Sequence, residues 1–206
     1  MALTEKKFNL GMTSREYIDQ IKVNKDPFLD IYRAIEVPSQ VQAFFNGLTE
    51  PLRMAVFTAD WCGDALSTTP ALLRLAEGAD RLSVQVFNRD QELELTNTFL
   101  PENRAGTVPV FVVLDSSMGE VARFIETASE LVPAIDAMDD VVAQELDGDN
   151  SPTTGTASRG KRTAFRVAHA REWGEVILRE FGQLVADGLA LPPGGRPMVG
   201  GTKWPS

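Results

Sequence analysis

The middle of the chain alternates short apolar runs with stretches of helical spacing, and this alternation limits the folds that it can adopt. Leu52–Thr58 is an apolar run that predicts a buried strand, and residues 62–77 carry leucines at the spacing of a helix. Residues 82–87 alternate as a strand does, and residues 92–100 indicate a short helix. Strand–helix–strand units place parallel strands side by side, with helices on the faces of the sheet.

A β-hairpin and a further helix are predicted after this unit. Residues 108–114 form a second apolar run, Ser116-Ser117-Met118-Gly119 has the composition of a turn, and residues 121–125 would be the antiparallel partner. Residues 130–146 again have helical spacing. The predicted order is βαβα followed by a hairpin and a helix, which is an α/β fold with a central mixed sheet flanked by helices.

An N-terminal helical extension is predicted before this core, which we place at residues 52–147. Within residues 1–51, Thr13 or Ser14 would cap a helix that has Glu16 in its first turn. The extension has too few apolar residues for a core of its own, so we expect it to pack against the central sheet.

A linker and a C-terminal helix are predicted after the core. Residues 148–160 are rich in Ser, Thr, Gly and Pro, which is typical of a linker. Residues 159–189 predict one long helix and residues 192–206 an extended tail, so that 161–206 make up a C-terminal helix and tail. We expect residues 1–206 to form a single domain.

Charge and cysteine content limit the partners and the compartment. The 206-residue chain has a formal net charge of −9, which repels a phosphate backbone, so we expect no nucleic-acid partner. No apolar run reaches the roughly 18 residues of a membrane span, and the N-terminus lacks the apolar core of a signal peptide. The chain has one cysteine and so cannot form an internal disulfide, which favours a cytoplasmic location.

The single cysteine, Cys62, lies where the first predicted strand gives way to a helix. The N-terminus of a helix carries unpaired N–H groups and about half a positive charge, which stabilise a thiolate. Because the thiolate is the nucleophilic form, Cys62 is the candidate catalytic residue. Gly63 lets the backbone pass close to a partner sulfur.

Three motifs in this order resemble the thioredoxin superfamily. Trp61-Cys62-Gly63 matches the start of its active site, Pro70 matches the proline that kinks the active-site helix, and Thr107-Val108-Pro109 matches its cis-proline. The resemblance covers roughly residues 52–146 and implies a thioredoxin-like fold. A bacterial branch of thioredoxin-like proteins, which carries Trp-Cys-Gly-Asp-Ala after a helical N-terminal extension, resembles the chain more closely still.

The resemblance also implies a substrate-binding surface around the cysteine. Trp61 would contact the substrate, although it could equally cover the start of the helix. Gly63 and Val108 would offer backbone contacts to a bound peptide, and Pro109 would shape the groove. Asp64 would lie beside the substrate and could shuttle protons, but it is explained better as a first-turn acid favoured by the helix dipole.

The chain departs from the family pattern at three positions. Ala65 replaces the second cysteine, so a mixed disulfide on Cys62 cannot be released within the molecule. Val56 occupies the position of the family's buried acid. The carboxylate of Asp64 opposes thiolate formation by about 1–3 kcal/mol at ~6 Å, whereas the helix terminus favours it by typically ~0.3–1 kcal/mol and at most ~2.

Two hypotheses follow from these residues. The first is a monothiol thioredoxin-like thiol–disulfide oxidoreductase that acts on mixed disulfides through Cys62, with a protein or small-molecule thiol or disulfide as its partner. The alternative is a redox-inactive binding module that uses the cis-proline groove for a protein partner. We expect no cofactor and no metal, because no cluster of cysteine and histidine has the pattern of a zinc site.

Overall fold

The computed structural model of the protein describes residues 2–146 and 154–202. The α-helices of these ranges are α1 (Glu5–Phe8), α2 (Ser14–Gln20), α3 (Lys25–Ala34), α4 (Ser39–Asn46), α5 (Gly63–Gly78), α6 (Leu93–Asn97), α7 (Val132–Glu145), α8 (Thr154–Ala168) and α9 (Ala170–Ala190). The strands are β1 (Leu52–Thr58), β2 (Leu82–Asn88), β3 (Val110–Leu114), β4 (Glu120–Ile125) and β5 (Met198–Gly201).

The strands form one mixed sheet in the order β2-β1-β3-β4-β5. Strands β1 and β2 are parallel, and helix α5 connects them, as the strand–helix–strand pattern predicts. Strand β3 pairs antiparallel with β1 and with β4, so the predicted hairpin is present. The predicted α/β class with a mixed central sheet is therefore confirmed.

The alternation of side chains along β1 divides the apolar interior into two clusters. Met54 and Val56 belong to a large cluster shared with α5 and α9, whereas Ala55 and Phe57 belong to a smaller cluster on the other face. The smaller cluster is completed by residues of α1 and α6. Val56, at the position of the family's buried acid, is thus fully enclosed by apolar side chains.

Helices α2, α3 and α4 of the N-terminal extension share the larger cluster. Of the two candidate caps, Thr13 is the N-cap of α2. It forms a reciprocal capping box with Glu16: the Thr13 N–H donates to Glu16 Oε2 at 2.8 Å, and the Glu16 N–H donates to Thr13 Oγ1 at 3.3 Å. In α4, the ring of Phe45 stacks on that of Phe181 in α9 with centroids 6.0 Å apart. The two terminal extensions therefore contact each other as well as the sheet.

The linker prediction for residues 148–160 is wrong from residue 154 onward, because α8 begins there; residues 148–153 lie outside the described ranges. The single helix predicted over 159–189 is also wrong, since His169 separates α8 from α9. Serine, threonine and glycine disfavour a helix locally, but α8 packs against α3, α5 and α7. Tertiary contacts commonly outweigh such propensities.

The tail predicted at 192–206 is in part a strand. Residues 198–201 form β5, which pairs parallel with β4 at the edge of the sheet. Gly201 has a φ of +93°, and a Cβ at this position would overlap the carbonyl oxygen of Ile125. The glycines that suggest an unstructured tail thus permit a close backbone approach, which is why composition alone was misleading.

The approach of α9 to the sheet gives the first testable prediction. A Cβ at Gly188 would overlap the carbonyl oxygen of Val121 in β4, whereas nothing lies within 4 Å of a Cβ at Gly160 in α8. We expect Gly188→Ala to lower the free energy of unfolding by about 1–3 kcal/mol through overpacking. We expect the matched control Gly160→Ala to raise it by about 0.5–1 kcal/mol through helix propensity.

Urea unfolding followed by circular dichroism measures both changes. If Gly188→Ala were as stable as the wild-type protein, the close packing of α9 on β4 would be disproved.

Candidate functional site

Cys62 lies at the boundary between the turn that follows β1 and the first residue of α5. Its thiol is partly exposed, and Sγ lies 3.3 Å from the carbonyl oxygen of Val108, to which it donates. The backbone N–H groups of Asp64 and Ala65, in the first turn of α5, lie close enough to the sulfur to lower the pKa of its thiol. The helix therefore presents its unpaired donors to the one thiol of the chain.

Burial raises the pKa of the Cys62 thiol, because desolvation disfavours the thiolate. The negative charge of Asp64 raises this pKa further, while the nearby amides of Ala65 and Asp64 and the positive charge of Arg166 lower it. The net shift is upward. At neutral pH, Cys62 is therefore mostly a protonated thiol held beside donors that favour its ionisation.

Arg166 of α8 is a site residue that the sequence analysis did not identify. Its guanidinium donates to Asp64 Oδ1 at 3.0 Å and to Ser67 Oγ at 2.9 Å, and its side chain is only 6% exposed. A Cβ at Gly63 would lie 3.3 Å from its Nε. The missing side chain of Gly63 thus leaves room for a guanidinium as well as for a partner sulfur.

A pattern in the sequence could have drawn attention to Arg166. Arg159, Arg162 and Arg166 follow one another at spacings of three and four, which places them on one face of a helix. Without the fold, however, nothing identifies α5 as the partner of that face. Asp64, predicted to contact substrate, is instead paired with Arg166 and retains 31% side-chain exposure.

Trp61 is 48% exposed beside the thiol. Its indole Nε1 donates to Asp90 Oδ2 at 2.8 Å, and the guanidinium of Arg89 lies over its ring at 5.1 Å from the centroid. These contacts fix the orientation of the indole and leave its surface accessible. Trp61 is therefore placed where it can contact a bound molecule.

The loop before β3 brings Val108 and Pro109 to the other side of the thiol. The peptide bond between them is cis. Val108 is 6% exposed and Pro109 is buried, so these two residues contribute little accessible surface. The structure thus brings all six predicted site residues together around the sulfur: Trp61 and Gly63 are exposed, Cys62 and Asp64 are partly exposed, and Val108 and Pro109 are buried.

The N-terminal extension contacts the turn that precedes Cys62. Asp60 Oδ2 accepts hydrogen bonds from the backbone N–H groups of Lys22 and Val23, at 2.9 and 3.0 Å. Tyr17 of α2 is buried, and this burial raises the pKa of Tyr17 to about 12 despite a hydrogen bond with Thr58. Sequence analysis did not assign Tyr17 to the site, because helical periodicity alone indicates a core residue.

Two further features concern the described ranges, 2–146 and 154–202. They contain no group of three or more histidine, cysteine, aspartate and glutamate side chains arranged to hold a metal ion. Among their helices, none combines the length and the apolar character needed to cross a membrane.

Solved structures with a similar fold were found by comparison. A crystal structure of a protein of unknown function from Pseudomonas aeruginosa has a TM-score of 0.56 and 13% identity, over 81% of this chain and 96% of that one. A crystal structure of an HIV epitope scaffold has a TM-score of 0.61 and 15% identity, over 92% of this chain and 100% of that one. No curated protein matches the chain.

The sheet order, the helices on both faces and the cysteine at the start of α5 define a thioredoxin-like fold. A family model described as thioredoxin matches residues 11–139, more than half of the chain. The chain belongs to the thioredoxin family. The matched range takes in most of the N-terminal extension and strands β1 to β4 of the sheet.

The charges beside Cys62 give the second testable prediction. Because the carboxylate of Asp64 raises the pKa of Cys62, Asp64→Asn should lower that pKa and speed alkylation at a fixed pH near neutrality. Because Arg166 lowers it, Arg166→Gln should raise the pKa and slow alkylation. The rate of reaction with iodoacetamide, a neutral reagent, measured against pH reports both changes.

Two control variants make this comparison specific. Arg166→Lys keeps the positive charge and should restore much of the wild-type rate, whereas Asp30→Asn, on the exposed surface of α3, should leave the rate unchanged. A shift of the Cys62 pKa in the same direction in Asp64→Asn and Arg166→Gln would refute the assignment of these two opposing effects.

Proposed function

We propose that this member of the thioredoxin family is a monothiol thiol–disulfide oxidoreductase that acts on mixed disulfides through Cys62. One observation carries the proposal: the partly exposed residue Cys62 is the N-cap of α5, where the amides of Asp64 and Ala65 favour negative charge on its sulfur. The chain contains no second cysteine that could resolve an adduct.

The exchange takes two steps of the same kind. The Cys62 thiolate attacks the small-thiol sulfur of a disulfide between a small thiol and a larger one; a new disulfide forms between Cys62 and that sulfur, and the larger thiol leaves as a thiolate that takes up a proton. A second, small thiol then attacks the substrate sulfur held on Cys62. This forms a small-molecule disulfide and returns Cys62 to its thiolate. The pair of electrons that reduces the first disulfide is thus supplied by the small thiol.

The neighbouring residues have distinct roles in this proposal. The amides of the first turn of α5 stabilise negative charge on Cys62 Sγ as it forms in either step. Trp61 and Gly63 form the open side through which the substrate sulfur approaches. The carbonyl of Val108 accepts the thiol hydrogen in the resting state, and Pro109 supports the loop beneath it.

The burial of the cis-proline loop favours this function over a redox-inactive binding module. The two residues that would line the groove of such a module, Val108 and Pro109, are both buried and offer a peptide little contact surface. Cys62 beside them is partly exposed. The redox-inactive binding module is therefore the alternative hypothesis, which the experiment below can distinguish from the enzyme.

We also infer the setting in which the exchange occurs. A monothiol cycle needs a supply of reduced small thiols, which the cytoplasm provides. The partner is then a protein or small-molecule disulfide rather than a nucleic acid, in keeping with the net charge of −9. The Trp61–Ala65 segment supports membership of the bacterial branch with the Trp-Cys-Gly-Asp-Ala motif.

Substitutions at Cys62 and Ala65 give the third testable prediction. With a mixed disulfide between a cysteine peptide and 2-mercaptoethanol as substrate, the wild-type protein should release the peptide thiol over repeated turnovers only when a small thiol is present to regenerate Cys62. Cys62→Ser should reduce the rate to background, because it removes the nucleophile. Release of the peptide thiol is measured by chromatography.

Ala65→Cys tests the missing resolving thiol. The new side chain would lie three residues after Cys62 on the same helix, near enough for a disulfide. This variant, reduced beforehand, should reduce the disulfides of insulin in stoichiometric amount without added small thiol, whereas the matched control Ala65→Ser, similar in size at this buried position, should not. Equal activity of wild type and Cys62→Ser in every condition would reject the enzyme in favour of the binding module.

A further inference from the structure

A cavity of about 280 Å³ lies beside the thiol. The two residues bonded to Cys62 in the chain contribute to its wall, and so do three arginines of α8: Trp61, Gly63, Arg159, Arg162 and Arg166. No aspartate or glutamate lines it in the described part of the chain. We call it the arginine cavity. Adjacent Cα atoms are about 3.8 Å apart, so a group attached to Cys62 Sγ is within reach of this space.

The helix that supplies the arginines is locally basic in an acidic protein. Thr154–Ala168 contains four basic residues and no acidic one, although the whole chain has a net charge of −9. The spacings of three and four residues place the arginines on one face of α8. Positive charge is thus concentrated next to the one reactive group of the chain.

Not all of this charge is neutralised by the protein. Arg166 is paired with Asp64, and Arg162 Nε donates to Asp139 Oδ1 at 2.6 Å. Arg159 is exposed and, within residues 2–146 and 154–202, forms no ion pair or hydrogen bond. One guanidinium that lines the arginine cavity is therefore free to bind an anion.

We propose that the arginine cavity binds the carboxylate of a small anionic thiol while the sulfur of that thiol is bonded to Cys62. This inference rests on the proposed function and specifies its substrate class: a disulfide between a larger thiol and a small, carboxylate-bearing one. Cys62 attacks the sulfur of the small partner, the larger thiol leaves, and a second small thiol releases the fragment as a disulfide. Arginine suits this role because its planar guanidinium can hold a carboxylate with two hydrogen bonds.

The size of the cavity supports a small ligand over a protein segment. Its volume is near the lower end of the range of small-molecule sites, about 300–1,000 Å³. A single carboxylate and a short carbon chain would fill much of this space.

The fourth testable prediction uses the fact that Cys62 is the only cysteine. Methanethiosulfonate reagents modify its thiolate and release methanesulfinate, so their rates report this one site. We compare an anionic sulfonatoethyl, a cationic trimethylammonioethyl and a neutral methyl reagent at low ionic strength. Arg159→Gln should lower the ratio of the anionic to the cationic rate by about threefold or more, because one nearby charge acts in opposite directions on the two reagents.

Matched variants separate a local effect from a change of net charge. Arg159→Lys keeps the charge and should largely keep the ratio. Arg171→Gln removes an exposed arginine of α9 outside the cavity, and should leave the ratio unchanged. Because Arg159 is exposed and has no partner among the residues that the structure describes, its substitution is not expected to unfold the protein, and the rate with the neutral reagent should be the same in all variants.

Protection by a carboxylate without a thiol tests binding directly. 3-(Methylthio)propionate should slow modification of wild-type Cys62 by the neutral reagent in a saturable manner, and Arg159→Gln should abolish this protection. An unchanged rate ratio in Arg159→Gln, or protection that does not depend on Arg159, would overturn the proposal.

These reactions need no turnover, so the two proposals can fail separately. If the rate ratio and the protection depend on Arg159 but the mixed-disulfide assay shows no Cys62-dependent exchange, the arginine cavity stands as an anion site and the oxidoreductase is rejected. If exchange depends on Cys62 but not on the charge of the small thiol or on Arg159, the oxidoreductase stands and the arginine cavity is rejected.

Discussion

The buried guanidinium of Arg166 connects the C-terminal extension to the helix that carries the thiol. It donates to Ser67 and Asp64 of α5 from a residue about a hundred positions later in the chain. A charge taken out of water must be paired, so the position of α8 and the conformation of the first turn of α5 depend on each other. Breaking a fully buried pair costs about 3–5 kcal/mol, and this pair is worth less because Asp64 is partly exposed to solvent.

The same contact changes the electrostatics of the thiol. The sequence alone sets the carboxylate of Asp64 against the N-terminus of the helix, two effects of similar size. Burial is the largest influence and raises the pKa of Cys62, and Arg166 opposes the carboxylate with the smallest of the effects that act on the thiol. The family's buried acid is replaced by Val56 inside the apolar cluster, which leaves no carboxylate behind the thiol at that position. Ionisation of Cys62 is therefore governed first by desolvation, and α8 adds a smaller effect that favours the thiolate.

The sequence predicted the elements that local patterns determine and missed those that depend on distant contacts. The apolar run of β1, the cap at Thr13 and the cysteine at the start of α5 follow from periodicity and from residue type, and the structure has all three. The start of α8 and the strand β5 were missed because glycine, serine and proline are typical of loops, whereas here these segments are held by packing and by β4. Arg166 was missed because the spacing of residues on a helix does not identify the surface that it will face.

A raised pKa has opposite effects on the two halves of a monothiol exchange. It reduces the fraction of thiolate, but each thiolate is a stronger nucleophile and a poorer leaving group. The adduct on Cys62 is then slow to be displaced, and Ala65 offers no internal thiol to displace it. Release depends on a second thiol reaching the sulfur through the open side formed by Trp61 and Gly63. The guanidinium of Arg159 beside that opening would hold an anionic fragment in place while the second thiol arrives. The slow displacement from Cys62 and the positive charge of α8 would therefore both keep the fragment at the site until it is released.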